Sequence, residues 1–535
     1  MKNRYGNVGL IAAVIICIVI SVSFTKKNKS YKQEAYKRPN ILFVIADDQS
    51  FPYASIYGTQ GVKTPAFDEV ARNGILFYNA FAAAPQCSPS RAAILTGKNI
   101  WQLEEAGTHS SYFPKKFTVF TDLLENSGYT IGFTGKPWAP GNWEDAGWKR
   151  NPVGPEFNSK KLKPPTKYIS NTDYFGNFVN FYNKKKENEP FFFWYGAHEP
   201  HRTYEEGSGK KARKNIMKNF VPGFLPQDSI VRNDVADYDL EIEWFDKQLS
   251  KMIDFLKEKG ELENTLIVVT SDNGMPFPSA KANLMEYGSH VPLAICWPGK
   301  IRKGGTSHDL VSLIDLAPTF LRVAGIDSLP PMTGKSLTDI LLNDKNTTAH
   351  RSYVLTGRER HSDARPDDVG YPSRAIRTDD FLFILNLKPD RWPAGNPPSD
   401  SEKVNSNVQG SSKDFKSVGI GYNDIDDPNP TKNFMLKNKK QFPALFDEGF
   451  EKRPAEQLFD IKRDAACTNN LADKPRYAAV KNKLKTELEK LLTQQGDPRM
   501  LGNGDIFDSY PRFGLMRNWP GFKERGKYNP AFQHK

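Results

Sequence analysis

Cysteine is scarce in this chain, with four in 535 residues, and histidine nearly as scarce, with eight. Long apolar runs are scarcer still, since one alone, near the N-terminus, has the length of a leader or an anchor. The first scarcity excludes a disulfide framework. The scarcity of apolar runs, with a mean hydropathy of −0.59, excludes a polytopic membrane protein. Cys17 lies inside the apolar run, and Cys296 in "VPLAICW" reads as a small buried hydrophobe. A Cys296–Cys467 disulfide is conceivable in an oxidising compartment, although three cysteines beyond a leader make no scaffold. Cys87 therefore stands alone as the cysteine set among polar, turn-forming residues, in "QCSPSRAAILTG".

The apolar run spans residues 10–22 behind Lys2 and Arg4, the pattern of a signal-peptide core and short for a full membrane span. Export to the periplasm or beyond is expected, with Ser21-Val22-Ser23 as a passable cleavage site and an uncleaved anchor as the alternative. The formal net charge of +12 sits mostly at the ends: residues 1–38 carry eight Lys/Arg against one Glu, and residues 515–535 carry five against one. Charge so placed is not a nucleic-acid stripe. It suits targeting, membrane proximity or an acidic polymer.

From "NILFVIADD" onward, strand-like and helix-like segments alternate through "ILFYNAFAA", "YTIGFTGK", "PFFFWYGAHEP" and "TLIVVTSDNG". In the long helical stretch, Tyr238, Ile242, Phe245, Leu249, Met252, Ile253 and Leu256 recur at intervals of three and four, which makes one core-facing stripe. Alternation of this kind predicts an α/β unit with a mainly parallel sheet flanked by helices. Working groups in such sheets collect at the carboxyl ends of strands, where Asp47, Lys136, His198 and Asp272 fall. Beyond residue 345 the texture changes to paired strands and one amphipathic helix. The expected organisation is a leader or anchor over 1–24, the α/β domain over 39–345, a smaller α+β domain with an antiparallel sheet over 346–495, and a basic tail over 496–535. Residues 389–436, rich in Pro, Asn and Ser, read as a long insertion, functional or loosely ordered.

Ser88-Pro89 gives a helix start at Cys87, and Arg91 follows at i+4 on the same face. A helix N-terminus with a guanidinium beside it suits an anion; a low-pKa thiol or an incidental cap cysteine is the plainer alternative. Asp47-Asp48 and Asp272-Asn273 each end a strand. Asx turns would account for either pair alone. Together, at equivalent strand ends, they suit one divalent cation, and an all-oxygen set favours calcium, less often magnesium, over zinc. "GAHEPHR" offers His198 and His201; Pro200 forbids the helix of a zinc-protease motif. His198 is the preferred proton donor or anion ligand, with His201 second.

"CSPSRAAILTG" matches the C-x-P-S-R-x-x-x-L-T-G signature, and on it the chain resembles the type I, formylglycine-dependent sulfatases. The resemblance runs from about residue 39 to residue 492. It implies an alkaline-phosphatase-like domain with a smaller C-terminal domain, and conversion of Cys87 to Cα-formylglycine by a maturation enzyme. It also implies one calcium ion held by Asp47, Asp48, Asp272, Asn273 and the modified residue 87. Arg91 and Lys136 would fix the aldehyde hydrate, while Lys281 and His198 hold or protonate the substrate. Many members carry histidine where this chain has Trp138, a departure that leaves the protonation of the leaving group open; stacking of the indole on a sugar face is one reading of it. "TSDNGMPFPSAKANL", "HEPHR" and "RTDDFLFILNL" are most similar to the N-sulfoglucosamine sulfohydrolase branch, which also holds bacterial enzymes acting on ulvan and carrageenan. The substrate so implied is a sulfated poly- or oligosaccharide, with ulvan or another marine algal glycan favoured and N-sulfoglucosamine as the alternative; the resemblance leaves O-sulfate against N-sulfate open. Formylglycine-dependent phosphate or phosphonate hydrolysis, and non-enzymatic binding of a sulfated glycan, stand as alternatives.

Overall fold

The computed structural model describes residues 38–513, apart from 213, 328, 344–348 and 399–420. The apolar run 10–22 and the last part of the basic tail lie outside the described residues. The larger sheet is built from β1 (Asn40–Ala46), β2 (Ile75–Phe81), β3 (Thr130–Gly135), β4 (Phe191–Gly196), β5 (Thr265–Ser271), β6 (His290–Cys296), β7 (Gly305–Ser307) and β8 (Val311–Ser312). Its order is β3-β4-β1-β5-β6-β2-β7, with β8 also on β2. Strands β3, β4, β1 and β5 run parallel, and β6 runs antiparallel to both of its neighbours.

"NILFVIA" is apolar almost throughout because β1 is covered on both faces. Ile41, Phe43 and Ile45 point to one side, where α2 (Cys87–Thr96), α3 (Phe120–Asn126) and the helix Leu316–Val323 pack. Leu42, Val44 and Ala46 point to the other, against α1 (Pro65–Arg72), α4 (Tyr174–Tyr182) and the 30-residue helix Ser229–Glu258. All seven residues of the expected stripe on that long helix are buried. Its first turn is capped by the Asp228 carboxylate, which accepts from the Ile230 N–H at 2.8 Å.

The smaller sheet, β9 (Val354–Arg358), β10 (Ser373–Arg377), β11 (Phe381–Asn386) and β12 (Glu456–Asp460), is antiparallel throughout in the order β12-β11-β10-β9. The helix Ala478–Gln494 buries Leu484, Leu488, Leu491 and Leu492 beside it. The described parts of the 389–436 segment are firmly built. The helix Pro430–Lys437 is tied to the long helix through Thr431 Oγ1, which donates to Asp234 Oδ2 at 2.6 Å. Asp424 accepts from Arg358 and Arg365 at 2.7 and 2.6 Å.

Candidate active site

Strand register brings the site together. Ala46 pairs with Ser271, Ile45 with Gly196 and Gly135 with Gly196, so β1, β5, β4 and β3 end level. The residues that follow are Asp47-Asp48, Asp272-Asn273, Ala197-His198 and Lys136, and they meet at one edge. Glycine is required where β3 and β4 finish. A Cβ on Gly135 would lie 1.9 Å from the Gly196 carbonyl oxygen, and one on Gly196 would lie 1.9 Å from that of Lys136. Gly135 also has φ +78°, so Lys136 turns off the strand with its N–H on the Gly196 carbonyl at 2.7 Å.

Helix α2 starts from extended Gln86 and stops at left-handed Gly97. Its first turn is pinned from three sides. The Ser110 N–H donates to Ser88 Oγ at 3.0 Å, Trp138 Nε1 donates to the Ser88 carbonyl at 3.1 Å, and Ser90 Oγ donates to the Asp272 carbonyl at 2.5 Å. Cys87 Sγ then lies 3.9 Å from Asp48 Oδ1. Burial, together with nearby Asp47, pushes the thiol pKa well above its ordinary value. This corrects the low-pKa alternative: a cysteine here is a protonated, poorly nucleophilic group.

Arg91, fully buried, is a strut between strand ends. Its Nε donates to Asp272 Oδ2 at 2.7 Å, its Nη1 to the carbonyls of Lys136 and Pro137 at 2.8 and 3.1 Å, and its Nη2 lies 3.5 Å from Asp47 Oδ1. Lys136 Nζ lies 2.5 Å from Asp47 Oδ2. Burial alone would raise the Asp47 carboxyl, but Lys136 and the other cations outweigh it and hold the pKa well below the usual range. Asp272 goes the other way, to about 7, because burial and the adjacent Asp47 and Asp48 exceed what Arg91 offsets.

Carboxylate oxygens of Asp47, Asp48 and Asp272 lie within 4.8 Å of one another. Asp47 Oδ1 and Asn273 Oδ1 are buried without a hydrogen-bond partner. Three converging carboxylates and an orphaned amide oxygen fit a hard divalent cation. Asp48 reaches this cluster from a left-handed backbone at φ 76°, with its N–H on Asp272 Oδ1 at 3.1 Å.

Lys281 Nζ is held by Asp48 Oδ2 at 2.7 Å, Asp426 Oδ2 at 2.7 Å and His201 Nε2 at 2.9 Å. An ammonium only donates, so His201 accepts at Nε2 and carries its proton on Nδ1, which donates to the Arg202 carbonyl. His201 is thus an acceptor in this arrangement. His198 instead faces the cavity, its backbone N–H on Tyr174 Oη at 3.1 Å. Crowding by protein, and then Lys136, lowers its pKa to about 4, so the free ring is neutral.

The cavity measures about 520 Å³, within the range of small-ligand sites, and Asp47, Cys87, Lys136, His198 and His201 line it together with His109 and Tyr168. Arg91, Lys281 and Asp272 stand behind that lining. Trp138 departs from the stacking reading: it is 1 % exposed, its ring packs edge-on against Phe113 and its N–H is spent on Ser88. It is core and cannot stack on a sugar. Cys296 and Cys467 are free thiols in separate hydrophobic clusters, so the conceivable disulfide is absent. Asp426 and His109 carried no signal in the sequence, since both lie in loops that only tertiary packing brings to the site.

A buried carboxylate cluster stands beside the helix-initiating residue 87, with the Lys136 ammonium at the cavity wall, an arrangement suited to a cation and an anionic substrate group together. The chain belongs to the sulfatase family, whose model matches residues 39–326; the model described as N-sulphoglucosamine sulphohydrolase, C-terminal, matches residues 280–409. It is a sulfuric ester hydrolase. An ulvan-active sulfatase of Formosa agariphila is 24% identical over 95% of this chain and 85% of its own length. The N-sulphoglucosamine sulphohydrolase of Homo sapiens is 26% identical over 86% of this chain and 91% of its own. A solved structure in complex with its substrate D-glucosamine-2-N,6-O-disulfate superposes with a TM-score of 0.61 at 22% identity, covering 86% of this chain and 99% of that one. The expected alkaline-phosphatase-like α/β fold and antiparallel second sheet accordingly hold.

Proposed function

We propose that the chain is an exported sulfatase that removes O-sulfate from a sulfated polysaccharide or its oligosaccharides, with an algal glycan of the ulvan type favoured. The observation that carries this reading is the level register of four strand ends, which gathers Asp47, Asp48, Lys136, His198, Asp272 and Asn273 around residue 87. The ulvan-active relative supports the glycan, and the apolar run 10–22 supports export.

Once a maturation enzyme has oxidised Cys87, Cα-formylglycine would supply a hydrated aldehyde, with one hydroxyl to attack sulfur and another to release sulfate. The fit is geometric: residue 87 opens α2 on the cavity wall, with its side-chain tip 3.9 Å from Asp48 Oδ1. Calcium on Asp47, Asp48, Asp272 and Asn273 would supply positive charge beside that hydroxyl and lower its pKa. Lys136, on the cavity wall, donates to a sulfate oxygen. Arg91 touches no substrate in this scheme and acts as a positioning residue that keeps Asp47 and Asp272 aimed. Lys281 holds Asp48 from behind, its three donors spent on Asp48, Asp426 and His201, so in this scheme it makes no bond to the sulfate and acts as a positioning residue. His198 passes a proton to the leaving group; the negative charge of an arriving sulfate raises the affinity of the ring for that proton.

A second reading, hydrolysis of N-sulfated glucosamine, draws support from the C-terminal family model over residues 280–409. The test uses protein made with its maturation machinery. The peptide containing residue 87 is weighed, where conversion removes about 18 Da. Sulfate release is then measured on ulvan, carrageenan and heparin-type oligosaccharides, and on paired aryl sulfate and aryl phosphate. Release from ulvan or carrageenan oligosaccharides supports the reading, and release from N-sulfated ones alone transfers it to the second. Preference for aryl phosphate, or an unmodified Cys87 beside a successfully matured control, sinks both.

A further inference from the structure

Among the side chains that line the cavity and take no part in sulfate chemistry, His109 is held in a defined orientation. His109 is 9 % exposed, and two hydrogen bonds fix it to the segment after β9: its N–H donates to the Arg360 carbonyl at 3.1 Å, and its Nδ1 meets the His361 carbonyl at 2.9 Å. A carbonyl only accepts, so the ring proton resides on Nδ1 and Nε2 presents a lone pair. The next residue, Ser110, donates its N–H to Ser88 Oγ, so this loop is seated on the first turn of α2. The His361 ring packs against His109 at 4.6 Å between centroids and holds its plane. The tautomer of His109 is set by that backbone carbonyl, and burial, with His361 and Arg512 close by, lowers the pKa of the ring well below its ordinary value, so Nε2 carries no proton.

A sulfate ester anion offers only acceptors. Lys136 supplies donors to it, whereas a lone pair on His109 Nε2 would repel it. The favourable partner of this nitrogen is a donor elsewhere on the substrate. We propose that His109 is a specificity-determining residue, whose Nε2 accepts a hydrogen bond from a hydroxyl or amide N–H on the sugar next to the scissile sulfate. Rejection of a substrate lacking that donor then follows, because a buried acceptor would be left unpaired. The inference rests on the sulfatase reading and deepens it.

Its test compares matured wild type with His109→Asn, since the Asn amide reproduces the Nδ1 bond to His361 and removes Nε2. Residue 87 conversion and melting temperature are measured for both. On a sulfated oligosaccharide that wild type hydrolyses, kcat/KM of the variant is expected to fall about tenfold, the scale of one lost hydrogen bond. On 4-nitrophenyl sulfate, which carries no neighbouring donor, the two should agree within about twofold, by the same reasoning. Two substrate analogues tell the donors apart: one deoxygenated at the neighbouring carbon, one methylated at its amide nitrogen. One of them should cost wild type about tenfold and His109→Asn nothing further, as a substrate–residue cycle requires. Equal loss on aryl and sugar sulfates, or a wild type indifferent to both analogues, overturns the assignment. The analogue comparison on wild type stands even where the variant fails to fold. A wild type inactive on aryl sulfate and oligosaccharides alike would be a failure of the sulfatase reading itself and would remove this inference with it.

Discussion

Lys281 Nζ sits 2.7 Å from Asp426 Oδ2 and 2.7 Å from Asp48 Oδ2, so a carboxylate from the segment after β11 and one from the end of β1 share a single buried ammonium. Burial alone would lower the lysine pKa, and the two carboxylates, Asp426 foremost, raise it well above the ordinary value. With His201 taking the third N–H, every donor of this cation is spent within the protein. The C-terminal half of the chain therefore sets the aim of Asp48, which belongs to the carboxylate cluster.

Asp426→Asn keeps the shape of that acceptor and removes its charge. Expected is a fall in kcat/KM of about tenfold, the scale of one charge-assisted hydrogen bond, with metal content unchanged. Asp426→Glu should recover part of it. Steady-state kinetics on a sulfated oligosaccharide, with metal analysis alongside, decide the matter; unchanged kinetics would mean that Asp48 alone orients Lys281.

Arg91 offers a harsher case. Its guanidinium is the fork between Asp272, Asp47 and the Lys136 carbonyl, with no exposure to solvent. Arg91→Ala leaves buried carboxylates facing each other and should destabilise the fold by about 3–5 kcal/mol, besides abolishing sulfate release. Arg91→Lys cannot reproduce the fork and should rescue little. Denaturant unfolding measures both, and a loss under about 1 kcal/mol for Arg91→Ala would contradict the strut role.

Much of this architecture could be read from residue patterns. The acid pairs Asp47-Asp48 and Asp272-Asn273 follow apolar runs too short for helices, and the signature around Cys87 is local. The β6 reversal was hidden, because a buried strand looks alike in either direction. The place of Trp138 is not legible in the pattern, which cannot tell which way an indole turns when it leaves a strand end; Ser88 and Phe113 turn it inward. Asp426 and His109 stayed invisible, since polar residues in loops look alike until packing selects among them. The level strand ends, on which the site depends, exist only once pairing sets the register.

Asp239, on the long helix, bears on pH. Burial lifts its pKa to about 8, Lys214 offsets this only in part, and one of its oxygens has no hydrogen-bond partner. A carboxyl raised above its unfolded value stabilises fully below the unfolded pKa, and that stability is lost as pH climbs toward the folded one. Asp239→Asn removes this dependence. Melting temperatures of variant and wild type should therefore draw apart in favour of the variant from pH 5 to pH 8, then run parallel above about 8. A constant difference across the range would show that Asp239 ionises in the folded protein as it does in the unfolded chain.

Calcium should be detectable through stability as well as through turnover, which separates the ion from the modification of Cys87. The cluster of Asp47, Asp48 and Asp272, with the orphaned oxygens of Asp47 and Asn273, places like charges and unpaired acceptors at one buried point. A cation there relieves both, and linkage makes the gain measurable: with free calcium at about 100 times its Kd, stability rises by about 2.7 kcal/mol. Dialysis against a calcium chelator should accordingly lower the melting temperature by a few degrees, and calcium should restore it better than magnesium, whose stricter octahedron suits a flexible carboxylate cage less well. Asp272→Asn should blunt that calcium-dependent shift. Protein carrying unmodified Cys87 should show the same shift, because three carboxylates and the Asn273 amide supply the hard oxygen donors whatever the state of residue 87. A melting temperature indifferent to chelator and calcium, in protein whose metal analysis finds no bound ion, would refute the cation site and leave the counter-charge of the cluster to side chains such as Lys136, Arg91 and Lys281.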